Sequence, residues 1–307
     1  MTRVGWPHRL ACVTAGATVG LIVAGGLVTN TGAALAVPDW PTTFGHNPFL
    51  FPWSGMVGGV LVEHGHRLLG AGIGMLTVAL AMALTFGDSR RWVRGLGLLA
   101  VVLVSTQGLI GGLRVVLLRD TLALVHGCLA QLFFALLVGL AVVTGPRWRT
   151  PPVVPVRARR LASLGSLAAA VAYGQIVLGA FTTHGTAVWW HVAGAVVTTG
   201  VLVGVALAVL RGAGEDPVLA WWAWAMMGLL LAQLALGVGA YAARFTDLAV
   251  PGGQLAVVAL PVLHRAMGAL VFGSVVALAL QLGRRRALGA GARTARGAAP
   301  VATEVAA

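Results

Sequence analysis

The sequence predicts an all-α integral membrane protein: eight transmembrane helices in two pseudo-symmetric four-helix bundles, with both termini cytoplasmic. Three observations predict it. The 307 residues are 58% hydrophobic and only 9% charged, with a mean hydropathy of +0.91, whereas soluble domains carry about a quarter charged residues. Eight apolar segments each approach or exceed the roughly 20 residues that a bilayer crossing requires. The basic residues, 21 arginines and no lysine, sort to alternate connections.

The expected spans are 10–28, 57–85, 95–116, 121–143, 161–183, 187–210, 219–241 and 257–282. The first has a long apolar core and leads into further membrane segments, so it reads as a helix rather than a cleaved signal peptide. Long glycine-rich runs lack the short alternation of a barrel, which leaves helices as the spanning form. With the N-terminus in the cytoplasm, sixteen arginines fall inside, three (Arg114, Arg119 and Arg244) outside, and Arg67 and Arg265 within the membrane. That is a strong positive-inside bias. The net charge of +13 does not point to nucleic acid, because the arginines lie between apolar runs rather than on one polar face. Cys12 and Cys128 both sit in apolar segments, so neither a disulfide framework nor a cysteine metal site is offered.

An internal repeat runs through the odd-numbered spans. Gln107, Gln175 and Gln233 each precede a glycine by four residues, at Gly111, Gly179 and Gly237. The first span carries a related LIVAGGLV without the glutamine. We read this as duplication of a four-helix unit, with the arginine- and proline-rich stretch 145–160 as the hinge. The halves are then 1–150 and 151–307, the second ending in an arginine-rich tail.

The even-numbered spans share a histidine instead: His66, His126, His191 and His264, all within about ten residues, or 15 Å, of the outer helix ends. Four positions after each stands a small residue, Gly70, Ala130, Ala195 and Gly268, one turn along the same face. A flat macrocycle against a helix needs such a gap, and imidazole is an axial ligand of haem iron. Zinc fits less well, since its sites take three or four protein ligands, often with a carboxylate. His64 points to another face than His66, and His8, His46 and His184 read as solvated or interfacial. Glu63 is the one acid within a span, one turn before His66. A carboxyl in the membrane is costly and marks function, or else it anchors Arg67 or the histidine. Arg67 and Arg265 each follow a ligand histidine and are candidate partners for haem propionates.

These residues resemble the haem A synthase family. EHGHR at Glu63–Arg67 is similar to its E-x-x-H-R signature, and VPDWP at Val37–Pro41 to its P-D-W-P loop. The LHR at Leu263–Arg265, the single His126 and His191, and the Q-x-x-x-G helix ends also match, over about residues 10–282. The resemblance implies a plasma-membrane oxidoreductase that converts a methyl group of haem O to the formyl group of haem A by successive hydroxylations. His66 and His126 of the N-terminal half would hold the substrate haem; His191 and His264 would hold haem b (iron) as electron-transferring cofactor. Glu63 would be the catalytic residue, moving protons or stabilising a cation. Implied partners are haem O synthase, a terminal-oxidase assembly factor, membrane lipid and a second copy of the chain. Residues 30–56 contain no cysteine, so the chain resembles the members that lack the outer-loop cysteine pair, and thiol delivery of electrons through that loop is excluded.

Three other classes compete. A di-haem b-type electron-transfer cytochrome would use four equivalent histidines and have no need of Glu63. A transporter with two repeats would break helices at the midplane, yet proline is nearly absent from the spans, Pro261 excepted. A prenyltransferase needs clustered aspartates for magnesium diphosphate, and no expected span contains one.

Overall fold

A computed structural model describes residues 5–155, 157–182, 188–213 and 216–297; His184 lies outside them. The described residues form helices with no strand: α1 (Trp6–Asn30), α2 (Gly58–Gly87), α3 (Arg91–Leu117), α4 (Asp120–Thr144), α5 (Pro146–Arg149), α6 (Ala158–Thr182), α7 (Val188–Ala213), α8 (Pro217–Phe245) and α9 (Gly253–Gly297). All but the four-residue α5 are long and apolar enough to cross a membrane, eight in number. The chain is a multi-pass membrane protein. Large apolar side chains stand bare on its flanks, among them Phe86 (85% exposed) and Val238 (72%). Such a surface is stable against lipid and costly against water, at about 25 cal/mol per Å².

Helix ends follow local chemistry. Proline occupies the first turn of α1 and α8, where its missing N–H costs nothing. Asp216 caps α8, its Oδ1 accepting from Val218 N (3.0 Å) and Leu219 N (3.2 Å). Leu118 adopts φ +50°, which turns the chain from α3 to α4 within two residues. Asp120 falls in the first turn of α4, so Glu63 is the only acid inside a helix beyond its first turn among the described residues.

Side chains of α1 to α4 bury one apolar cluster that includes Leu80, Leu137 and Ala269 of α9. Those of α6 to α9 bury a second, around Leu202, Met226 and Leu278. A smaller group, Ala135, Ala172 and Phe272, joins α4, α6 and α9. The central helix is α9, which packs on α1, α4, α6 and α8.

At the arginine-rich end, each half ties the turn after its second long helix to its fourth. Arg90 is bidentate on Asp88 (2.9 and 2.6 Å) and donates to Val143 O of α4 (3.0 Å). Arg285 of α9 donates from Nε (2.9 Å) and Nη2 (2.5 Å) to Asp216, and from Nη1 to Gln281. Arg285 is 2% exposed; fork-to-carboxylate pairing is what lets such a charge be buried. The eighth span differs from expectation in length. At 45 residues α9 runs about 68 Å, so Arg284–Arg286 continue the helix instead of starting a loose tail. His8 also differs. It lies inside α1 with its Nδ1 2.9 Å from Ala141 O of α4, a helix contact rather than a solvated side chain.

Candidate functional site

Each of the four helix histidines rests against a glycine of the helix before it. A Cβ on Gly25 of α1 would stand 3.1 Å from His66 Cε1, and one on Gly111 of α3 3.1 Å from His126 Cε1. On Gly179 of α6 and Gly237 of α8 it would stand 2.9 Å from Cε1 of His191 and His264. Carbon atoms meet comfortably at about 3.5–4.0 Å, so no larger residue fits without displacing the ring. The repeated Q-x-x-x-G thus has a reason: its glycine is the seat of the next helix's imidazole. Gly25 supplies the same seat in the first span, where the sequence pattern lacks the glutamine.

The glutamines hold the histidine segments. Gln107 Nε2 donates to His126 O (3.1 Å), and Gln175 Nε2 to His191 O (2.8 Å) and to His191 Nδ1 (3.0 Å). Gln233 binds through both ends: His264 Nδ1 lies 3.2 Å from Gln233 O, and Gln233 Nε2 3.3 Å from His264 Nε2. Leu21 stands four residues before Gly25, so His66 has no such amide. The two pairs therefore differ. Nδ1 of His191 and of His264 has a partner, whereas Nδ1 of His66 and of His126 is buried without one.

His191 and His264 face each other with ring centroids 6.2 Å apart and planes at 90°. Two imidazoles on opposite sides of one metal ion would have that spacing: a metal–nitrogen bond of about 2.0–2.1 Å plus roughly 1.1 Å from nitrogen to centroid, twice over, gives about 6.3 Å. His66 lies within electrostatic reach of His126. No group of three or more His, Cys, Asp or Glu residues suits a metal among the described residues. The small residues after the histidines divide. A Cβ at Gly70 would meet open space, whereas Gly268 is filled from Gln233, 3.3 Å away.

Glu63 is 5% exposed and engaged on both oxygens. Oε2 accepts from Val37 N (3.0 Å) and Oε1 pairs with Arg67 Nη2 (2.9 Å). Arg67 in turn donates to the carbonyls of Val37 (2.8 Å), Asp39 (2.7 Å) and Thr42 (3.1 Å). Four of its five N–H groups are spent on the loop and on Glu63, which leaves little for a propionate. Arg114 of α3, read from sequence only as a helix-end charge, lies within electrostatic reach of both His66 and His126. Arg265 lies near His264 and Arg244, and Arg244 reaches across to Asn30 Oδ1 of α1 (2.7 Å).

The loop held by Glu63 and Arg67 covers the N-terminal pair. The Trp40 indole lies on α3 where Gly112 lacks a side chain, one residue from the seat of His126. His64 faces this loop, its Nδ1 3.0 Å from Thr43 Oγ1 and its ring 5.2 Å from Phe51. Asp39 closes the turn. Partial desolvation pushes its carboxyl up, but hydrogen bonds from Gly45 N (2.9 Å), Thr42 Oγ1 (2.5 Å) and Phe44 N (2.8 Å) outweigh that and hold it at about 2.

Residues 54–191 match the family model of COX15-CtaA, cytochrome oxidase assembly protein. The match covers 138 of the 307 residues, a little under half of the chain. The matched stretch contains Glu63, His66, Arg67, His126 and His191, whereas His264 and the Val37–Pro41 loop lie outside it. No curated protein matches the chain.

Proposed function

We propose that the chain is a haem A synthase that oxidises a methyl group of haem O to a formyl group by successive hydroxylations in the plasma membrane. The observation that carries the reading is the perpendicular pair His191 and His264, with ring centroids 6.2 Å apart, a spacing at which the two imidazoles would hold one haem iron between them. The glycine seats and the buried, unpartnered Nδ1 atoms of His66 and His126 support a second pair of the same kind. Bound haem b supplies a one-electron redox centre, with His191 and His264 as its ligands. His264 Nδ1 can donate to the Gln233 carbonyl, and the Gln175 amide contacts the His191 ring at Nδ1, so both rings are held in place, which suits a resident group. Rings without such partners suit a substrate that must leave, so haem O is assigned to His66 and His126.

Glu63 and Arg67 close the Val37–Thr42 loop over that substrate site and exclude water from it. Glu63, fixed on both oxygens, acts as a stationary negative charge beside the reacting edge and stabilises positive charge there. Arg114 takes the propionate role in the N-terminal half in place of Arg67, and Arg265 in the C-terminal half. The positive-inside rule puts the histidine ends of the helices on the outer face of the membrane.

Replacing each of the four histidines by alanine and identifying the haem retained on the purified protein tests the assignment. Loss of haem b in H191A and H264A, with haem b kept but product lost in H66A and H126A, is the expected pattern. Equal loss of haem b from all four would contradict it.

A further inference from the structure

A cavity of about 600 Å³ opens at the arginine-rich end, where α6 and α9 meet under α5. It is far from the histidines, which lie toward the other ends of their helices. Its floor is made of small side chains, Ser166, Ala169, Ala279 and Gly283, and a Cβ at Gly283 would meet nothing within 4 Å. Trp148 and Arg284 stand at its mouth, the guanidinium 5.2 Å over the indole. Arg284 Nη2 donates to Thr150 O (2.9 Å), but its Nη1 is buried without a partner.

A shut-off cationic N–H beside an apolar slot calls for an anion with a hydrocarbon tail. Among the described residues, the acids at this end are already spent, Asp88 on Arg90 and Asp216 on Arg285. Arg147, over the Trp221 ring, and Arg149 and Arg286 add further positive charge at this end of the chain. The positive-inside rule puts this end in the cytoplasmic leaflet, where basic pockets between helices take anionic headgroups.

We infer that this cavity binds one anionic phospholipid, its phosphodiester on Arg284 Nη1 and an acyl chain in the slot over Gly283. No step of the haem chemistry depends on it. The lipid bridges α6 and α9 to the linker segment at Trp148, so it fastens the junction between the first and second halves of the chain.

The test is native mass spectrometry of the full-length protein released from nanodiscs of equal phosphatidylglycerol and phosphatidylcholine. Wild type is expected to retain phosphatidylglycerol about fivefold over phosphatidylcholine, the scale of one arginine–headgroup contact. Arg284→Gln should remove the preference, Arg284→Lys should keep most of it, and Gly283→Leu should lower retention of both lipids by filling the slot. Equal retention of the two lipids by wild type would overturn the proposal, as would an unchanged preference in Arg284→Gln or unchanged retention in Gly283→Leu. Displacement of phosphatidylglycerol by inorganic phosphate at matched concentration would also overturn it, reducing the site to a bare anion contact. If Arg284→Gln does not fold, Gly283→Leu and the phosphate competition decide.

Discussion

Glu63 and Arg67 grip the same residue from its two sides: Val37 donates its N–H to Glu63 and gives its carbonyl to Arg67, while the two side chains pair at 2.9 Å. One turn of α2 thereby fixes the loop that covers the His66–His126 pair.

Breaking that grip should release the loop. Removing one member of a buried ion pair costs about 3–5 kcal/mol, so Glu63→Ala is expected to raise hydrogen exchange across residues 37–46 and to abolish product while haem b stays bound. Arg67→Lys should loosen the loop as well, because one ammonium cannot reach three carbonyls and a carboxylate at once. Glu63→Gln separates the roles, since it can still accept from Val37 but carries no charge. Full activity in Glu63→Gln would remove the electrostatic role.

The imidazole seats admit no side chain. Gly179→Ala and Gly237→Ala would each bring a Cβ to 2.9 Å from a ligand ring, and should lower haem b content several-fold and alter its visible spectrum. Gly20→Ala, with nothing within 4 Å of its Cβ, is the control and should leave both unchanged. Haem content that falls equally in all three would show only that the helices resist substitution.

The glutamines should matter unequally. Gln175→Leu strips the Nδ1 contact of His191, whereas Gln233→Leu removes only the amide contact at His264 Nε2 and leaves the backbone contact at Nδ1; haem b retention should fall further in Gln175→Leu, by up to about 10–100-fold in affinity. Gln107 reaches only the backbone of His126, so Gln107→Leu should leave haem b retention as in wild type. Titration of the haem b reduction potential in the same variants reports the change in ligand basicity apart from activity.

Acid should spare the loop until late. With its folded carboxyl held at about 2, below the usual 3.9, Asp39 contributes stability fully above pH 4 and loses it as pH falls toward 2. Hydrogen-exchange protection of residues 42–46 is expected to be flat from neutrality to about pH 4 and to decline below it, and Asp39→Asn should show the low-pH exchange at neutrality.

The fold was legible because lipid imposes simple rules. Apolar length marks each crossing, and the observed helices fall within a few residues of the expected spans except at the end of α9, where arginines on a continuing helix carry no apolar signal. The histidines and their pattern were equally legible, one per alternate helix. What lay hidden was which groups touch. Gly111, Gly179 and Gly237 could be seen to repeat, but a glycine pattern does not reveal that an imidazole fills the gap. Gly25 had no glutamine to flag it, and Arg114 looked like a helix-end charge. Arg67 reads as a propionate partner because its neighbour in sequence is His66; its pairing with Glu63 is open to the sequence, but its three carbonyl partners, 25 to 30 residues earlier, depend on how the loop folds back.

The most direct measurement of the central claim is chromatography of the haems extracted from the protein after expression with a source of haem O. Wild type is expected to yield haem b together with haem A or its hydroxylated precursor, and Glu63→Ala haem b without either. Recovery of haem b alone from the wild-type protein would contradict the claim and leave a two-haem electron carrier as the description of this chain.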